Sequence, residues 1–198
     1  MKILTILILN VVLFSCKNEN SSEPKQDVAI EVATKKNTVK KTTNKGTYLC
    51  KINGKDWHYT KASGVIAKND NISFRRATIT FKKKLDKGTE SIQIAYNIDK
   101  QTVISAQVIL KPNDKNGNRI SAFYNMRLGY VKPNESMSGT IDLSDLKNAS
   151  GTATITIEND YEKDKLNPEY HVLKITDLSF SSVDYSDINR EFDKYKKQ

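Results

Sequence analysis

From Tyr48 onward, apolar and polar residues alternate with a period of two over short runs, the pattern of strands that bury one face. The sharpest instance is Tyr48-Leu-Cys-Lys-Ile52, then Asn53-Gly54, then Lys55-Asp-Trp-His-Tyr59. Asn-Gly between alternating runs predicts a two-residue type I′ hairpin, because both central residues of that turn need a positive φ. Further strands are predicted at Gly64–Ala67, Ile72–Phe81, Ser91–Ile98, Val103–Leu110, Ile120–Met126, Ser138–Leu143, Thr152–Glu158 and His171–Phe180. Turn residues separate them at Asn69-Asp70-Asn71, Asp86-Lys87-Gly88, Pro112 to Asn118, Asn148 to Gly151 and Asn167-Pro168. Strands this short and evenly spaced predict an all-β domain over residues 46–187, an antiparallel β-sandwich or partly open barrel of about 8–10 strands. Helical spacing occurs only over Ile188 to Lys197, where Phe192 and Tyr195 fall on one face. Residues 188–198 are therefore expected to form a short C-terminal helix or a frayed tail.

The hairpin register assigns faces. A two-residue turn pairs Ile52 with Lys55, Lys51 with Asp56, Cys50 with Trp57, Leu49 with His58 and Tyr48 with Tyr59. Tyr48, Cys50, Ile52, Trp57 and Tyr59 then share one face, and Leu49, Lys51, Asp56 and His58 the other. Cys50 and His58 point to opposite sides, which disfavours a Cys–His dyad within the hairpin.

Upstream the pattern changes. Met1-Lys2 precedes an apolar run from Ile3 to Phe14, 12 residues broken only by Thr5 and Asn10. That is short of the roughly 20 residues a membrane-spanning helix needs, and it suits the apolar region of an export signal. The run ends in Leu13-Phe14-Ser15-Cys16, which resembles the lipobox of bacterial lipoproteins, with Phe14 standing where that family most often carries a smaller residue. The resemblance implies removal of residues 1–15 and a diacylglycerol and an N-acyl chain, such as palmitate, on Cys16. It implies no other cofactor. Two or more acyl chains hold a protein stably on a bilayer, where one does so only marginally. Lys17 follows the lipidated position where some bacteria use Asp to retain lipoproteins in the inner membrane. The implied location is therefore the cell envelope, at the outer membrane.

Residues 17–45 contain no aromatic residue and are rich in Lys, Asn, Ser, Thr and Glu, so residues 16–45 are expected to be the lipidated Cys and a flexible tether. As a random coil this tether reaches about 30 Å. The whole chain of 198 residues has 32 Lys+Arg and 23 Asp+Glu, a net charge of +9. Of this, +3 lies in the tether and +5 in residues 46–198. A charge spread so thinly, with no nucleic-acid-binding signature, does not imply a nucleic-acid partner. Two His exclude a multi-His metal centre, and two Cys exclude a disulfide scaffold.

Within the domain the candidate residues each have a plain structural reading. Trp57, Tyr48 and Tyr59 would form an aromatic platform for a sugar or peptide, or pack in the core. Cys50 would be a reactive thiol, or a small buried apolar residue. Lys82-Lys83-Lys84, with Lys87 and Arg75-Arg76, would touch anionic lipid headgroups or acidic polysaccharide, or simply blunt a sheet edge. Asp114-Lys-Asn116-Gly-Asn118 alternates oxygen ligands, but Arg119 and Asn125 stand where a calcium loop of the EF-hand kind needs Gly and Glu, so it is expected to be a turn and no metal site is assigned. His58 and His171 are distant in sequence, and neither a nucleophile elbow nor a His-Glu-x-x-His motif is present, so no catalytic residue is assigned.

Cys50-Lys-Ile-Asn-Gly-Lys-Asp-Trp57, after a polar tether, is similar to the opening hairpin of Bacteroidota-type lipoproteins of unassigned function, which often end in a strand like Ile175-Thr-Asp-Leu-Ser-Phe180. This resemblance again implies an antiparallel sandwich and no chemistry. The expectation is a non-catalytic, membrane-anchored module that binds an envelope glycan or protein, or supports the envelope. An envelope hydrolase, or an inhibitor of one, on the same scaffold is the alternative.

Overall fold

A computed structural model describes residues 46–68 and 73–195. The expected leader, Cys16, the tether and the Asn69-Asp70-Asn71 turn lie outside the described residues.

The chain opens with the predicted hairpin, β1 (Thr47–Ile52) and β2 (Lys55–Tyr59), joined by Asn53 at φ 47° and Gly54 at φ 79°, as a type I′ turn requires. Strands β3 (Lys61–Ala67), β4 (Arg76–Lys84), β5 (Thr89–Asn97), β6 (Thr102–Leu110) and β7 (Ala122–Arg127) then run as an antiparallel meander. The predicted strand Ser138–Leu143 is two short ones, β8 (Ser136–Ser138) and β9 (Ile141–Asp142), broken at Gly139, and both pair with β10 (Asn148–Glu158). The last strand, β11 (Val172–Asp187), leads into helix α1 (Ile188–Tyr195).

Strand β11 joins two layers. Its first part lies between β1 and β10, and its last residues, Tyr185–Asp187, pair in parallel with β3. One layer is thus β2-β1-β11-β10 with β8 and β9, and the other is β3-β4-β5-β6-β7. The hydrogen-bonded order runs through β11 from β2 to β7 without closing into a barrel. The result is the expected sandwich-like all-β fold, with eleven strands and one parallel pairing among the described residues.

Two bulges let β11 serve both layers. Between the pairs Ala153–Leu178 and Ile155–Ile175, and again between Ala149–Val183 and Gly151–Phe180, β11 spends one residue more than β10. Asp177 (φ 56°) and Ser182 (φ 55°) sit at these points in the left-handed region. Each extra residue resets the alternation, so Leu173, Ile175, Leu178, Phe180 and Val183 all face inward despite two skips in the period of two.

The core between the layers contains an aromatic line. Tyr59 lies 5.2 Å from Phe81 between ring centroids, Phe81 5.3 Å from Phe180, and Tyr96 6.4 Å from Phe180. Gly151 is required here, since a Cβ would stand 2.8 Å from the Phe180 ring. Two buried tyrosines bridge to backbone carbonyls, Tyr96 Oη donating to Thr152 and Tyr124 Oη to Tyr170. Asp187, buried at the end of β11, accepts from the Arg190 N–H and pairs with the Arg75 guanidinium, so it caps α1 and ties it to the start of β4. Phe192 on α1 is exposed, and no partner covers it among the described residues. No described helix is long and apolar enough to cross a membrane.

Candidate functional site

The structure separates the aromatic trio. The hairpin register holds as far as Cys50–Trp57, but Leu49 is then an extra residue, so Tyr48 pairs with His58 and Thr47 with Tyr59. This corrects the expected Tyr48–Tyr59 pairing. The bulge puts Leu49 and Cys50 side by side in the core and turns Tyr48 outward, where its ring meets His58 edge-on at 5.6 Å. Trp57 is 4% exposed, and Tyr59 packs on Phe81. Trp57 Nε1 donates to Glu90 at 3.0 Å, and the same carboxylate accepts from the Lys111 N–H at 3.1 Å and faces Lys83 at 3.5 Å. Burial pushes the Cys50 thiol up to about 12, which keeps it protonated and inert.

The lysine run is divided as well. Strand alternation turns Lys82 and Lys84 outward and Lys83 toward Glu90. Arg75 and Arg76 lie at the far end of β4, and of these only Arg76 opens onto the outer face. The Asp114 loop is a turn, as expected: Asp114 Oδ1 accepts from the N–H groups of Asn116 and Asn118, both at 2.8 Å. His171 Nε2 lies 3.2 Å from the Leu166 carbonyl. Among the described residues no three His, Cys, Asp or Glu converge as a metal site.

A wider concavity lies elsewhere, on the outer face of the five-stranded layer. It is an open cleft of about 600 Å³ at the end where β4 begins and β5 ends. Among the described residues three cations line it, Arg76 from β4, Arg127 from the end of β7 and Lys100 from the β5–β6 turn, with Asp99 as the one carboxylate. Asn97, Thr102, Ser105 and Ser73 supply neutral hydrogen-bonding groups, and Phe74, Ile104 and Leu128 supply apolar surface.

Local sequence explains this shape. Asn97 is buried, and its Oδ1 accepts from the Lys100 N–H at 3.0 Å, while Gln101 takes φ 53° to finish the turn. Between the pairs Ala95–Ser105 and Tyr96–Val103, β6 spends an extra residue, Ile104. That bulge brings Ile104 into the cleft lining, and its carbonyl accepts from the Leu128 N–H at 2.8 Å, fixing the far wall. Sequence reasoning named Arg76 and missed Arg127 and Lys100, because nothing local to either residue marks it. The only available signal is their place at the ends of predicted strands.

Such a cleft can hold an anion by charge and hydrogen bonds while an aromatic and two aliphatic side chains cover a ring face. Comparison of the chain with protein-family models, curated proteins and solved structures finds no match.

Proposed function

We propose that the chain is an envelope lipoprotein, held by acyl chains on Cys16 at the outer membrane, whose β-sandwich binds an acidic glycan without transforming it. The observation that carries the binding part is the cleft framed by Arg76, Lys100 and Arg127. Its volume lies in the range of ligand sites, which run from about 300 to 1,000 Å³. A sugar bearing a carboxylate matches its contents. The guanidiniums meet the acid group, Asn97, Thr102 and Ser105 meet hydroxyls, and Phe74 with Leu128 covers the apolar face of the ring. An open cleft also accepts a chain that continues at both ends, as a polysaccharide does.

The non-catalytic part rests on chemistry. A hydrolase needs a base beside a nucleophile, or two carboxyl groups across the scissile bond. Among the described residues the cleft offers one carboxylate, Asp99, and neither His lines it.

The test is calorimetric titration of the full chain with uronic-acid oligosaccharides and with neutral oligosaccharides of equal length. The expected result is binding of the acidic series only, weakened at least about tenfold by Arg76→Gln with Arg127→Gln, as loss of a charge-assisted contact implies. Equal affinity for both series, or an unaffected double variant, would contradict the assignment. Release of shortened products would favour the hydrolase alternative.

A further inference from the structure

The chain enters the fold beside its most basic end. Gly46 packs on the Tyr59 backbone, so closely that a Cβ would stand 2.4 Å from the Tyr59 carbonyl oxygen. Tyr59 leads into Thr60, whose N–H donates to the Lys82 carbonyl at 2.8 Å and whose Oγ1 accepts from the Lys84 N–H at 3.2 Å. The residue that connects to the tether is therefore clamped against the end of β4 where the lysines lie.

Four lysines are exposed there. Lys61 and Lys82 stand directly opposite each other on the outer face, Lys84 follows on the same strand, and Lys87 tops the β4–β5 turn. None of the four has a carboxylate within ion-pair distance among the described residues. Asp86 is the acid of the turn, and Glu90 is committed to Trp57, Lys83 and the Lys111 N–H. Like charges directly opposed across strands destabilise a sheet. This arrangement is relieved when an anionic surface supplies the missing charge. The other end of β4 carries Arg76 and the cleft. Along the nine residues of β4 the two ends are about 26 Å apart.

We propose that the lysine end, formed by Lys61, Lys82, Lys84 and Lys87, rests on the anionic headgroups of the membrane that holds Cys16, so that the glycan cleft stands at the end of the same face that is farther from that membrane. This rests on the lipid-anchor reading. On the same reading the anchor supplies the encounter: attachment at Cys16 confines the domain near the bilayer at an effective concentration on the order of millimolar, so a weak surface attraction suffices. The attraction acts only within about 8–10 Å of the headgroups. That range covers the lysine end and leaves the cleft beyond it.

Trp57 is the single tryptophan, and it lies beside this end through its bond to Glu90. The experiment reconstitutes the full lipidated chain into vesicles carrying dansyl headgroups, either neutral phosphatidylcholine or phosphatidylcholine with phosphatidylglycerol, and reads energy transfer from Trp57. Transfer is expected to be higher on the anionic vesicles and to fall to the neutral value in about 0.5 M salt. Lys61→Gln/Lys82→Gln/Lys84→Gln should lower the ratio of docked to undocked domain on the order of a hundredfold on anionic vesicles, and change nothing on neutral ones. Arg76→Gln/Arg127→Gln should leave transfer unchanged. A chain that floats with the vesicles but shows equal transfer on both overturns the inference and leaves the anchor standing. The docking inference also fails if the arginine pair, and not the lysines, sets the transfer, or if these lysines hold a soluble acidic polysaccharide while transfer stays low. A chain that floats with neither vesicle overturns the anchor and this inference together.

Discussion

Trp57→Phe removes the indole N–H from Glu90 while keeping an aromatic ring in the core. The bond is 3.0 Å long, the indole is 4% exposed and the Glu90 side chain 12% exposed, so water cannot readily replace the lost donor. Hydrogen bonds to charged groups contribute about 1.5–3 kcal/mol, and the smaller ring leaves some volume unfilled. A loss of about 2 kcal/mol or more is expected, which for a domain of this size lowers Tm by about 4–8 °C and the urea midpoint by about 1 M. The assay is far-ultraviolet circular dichroism, since the variant lacks the tryptophan fluorophore. A double-mutant cycle with Glu90→Gln isolates the pair and should give a coupling of at least about 0.5 kcal/mol. Affinity for the acidic oligosaccharide should not change, because Trp57 does not line the cleft. An unchanged midpoint together with lost oligosaccharide binding would refute this reasoning and make Trp57 part of a sugar platform after all.

Three further outcomes are expected. Asp177→Gly, at the first bulge of β11, should leave stability equal or raise it by up to about 1 kcal/mol, and Asp177→Val should lower it by about 1–2 kcal/mol, both read from urea midpoints. Cys50 ionises at an ordinary value of 9.0 when unfolded and is held up at about 12 by burial in the fold. Its contribution is therefore complete below pH 9 and is lost as pH rises toward 12, so Cys50→Ala should flatten the onset of alkaline destabilisation near pH 9, with the buried Tyr96 and Tyr124 following from their ordinary 10.0. The Asn148 side-chain amide and the Lys147 N–H hold the Asp145 carboxyl below its usual 3.8, so the turn is supported above that pH and loses support as pH falls through the folded value. Asp145→Asn should make the acid limb of unfolding shallower, and an unchanged limb would remove any role for this turn in acid stability.

What the sequence made legible follows from how local each cause is. The Asn53-Gly54 turn is specified by two residues that accept positive φ, and it appears where the pattern puts it. The meander from β4 to β7 keeps an unbroken alternation apart from one bulge, and its strands lie within a few residues of expectation. Strand β11 runs on past the expected end at Phe180 because Ser181-Ser182 is a bulge held by pairing with β10, and only the partner strand reveals that. The same blindness misplaced Tyr48, since the Leu49 bulge is set by pairing that no local pattern reports. The cleft was hidden for a further reason. Its three cations come from β4, the β5–β6 turn and β7, whereas the conspicuous run Lys82-Lys83-Lys84 splits between two faces.

The proposed envelope location and orientation both require Cys16 as the point of attachment, which the lipobox resemblance implies. Metabolic labelling with a palmitate analogue, followed by membrane fractionation of the wild-type chain and of Cys16→Ser, tests it directly. Lipid attachment at Cys16 predicts label and membrane association for the wild type and loss of both in the variant. A Cys16→Ser chain that still takes up label and still sediments with membrane would contradict it.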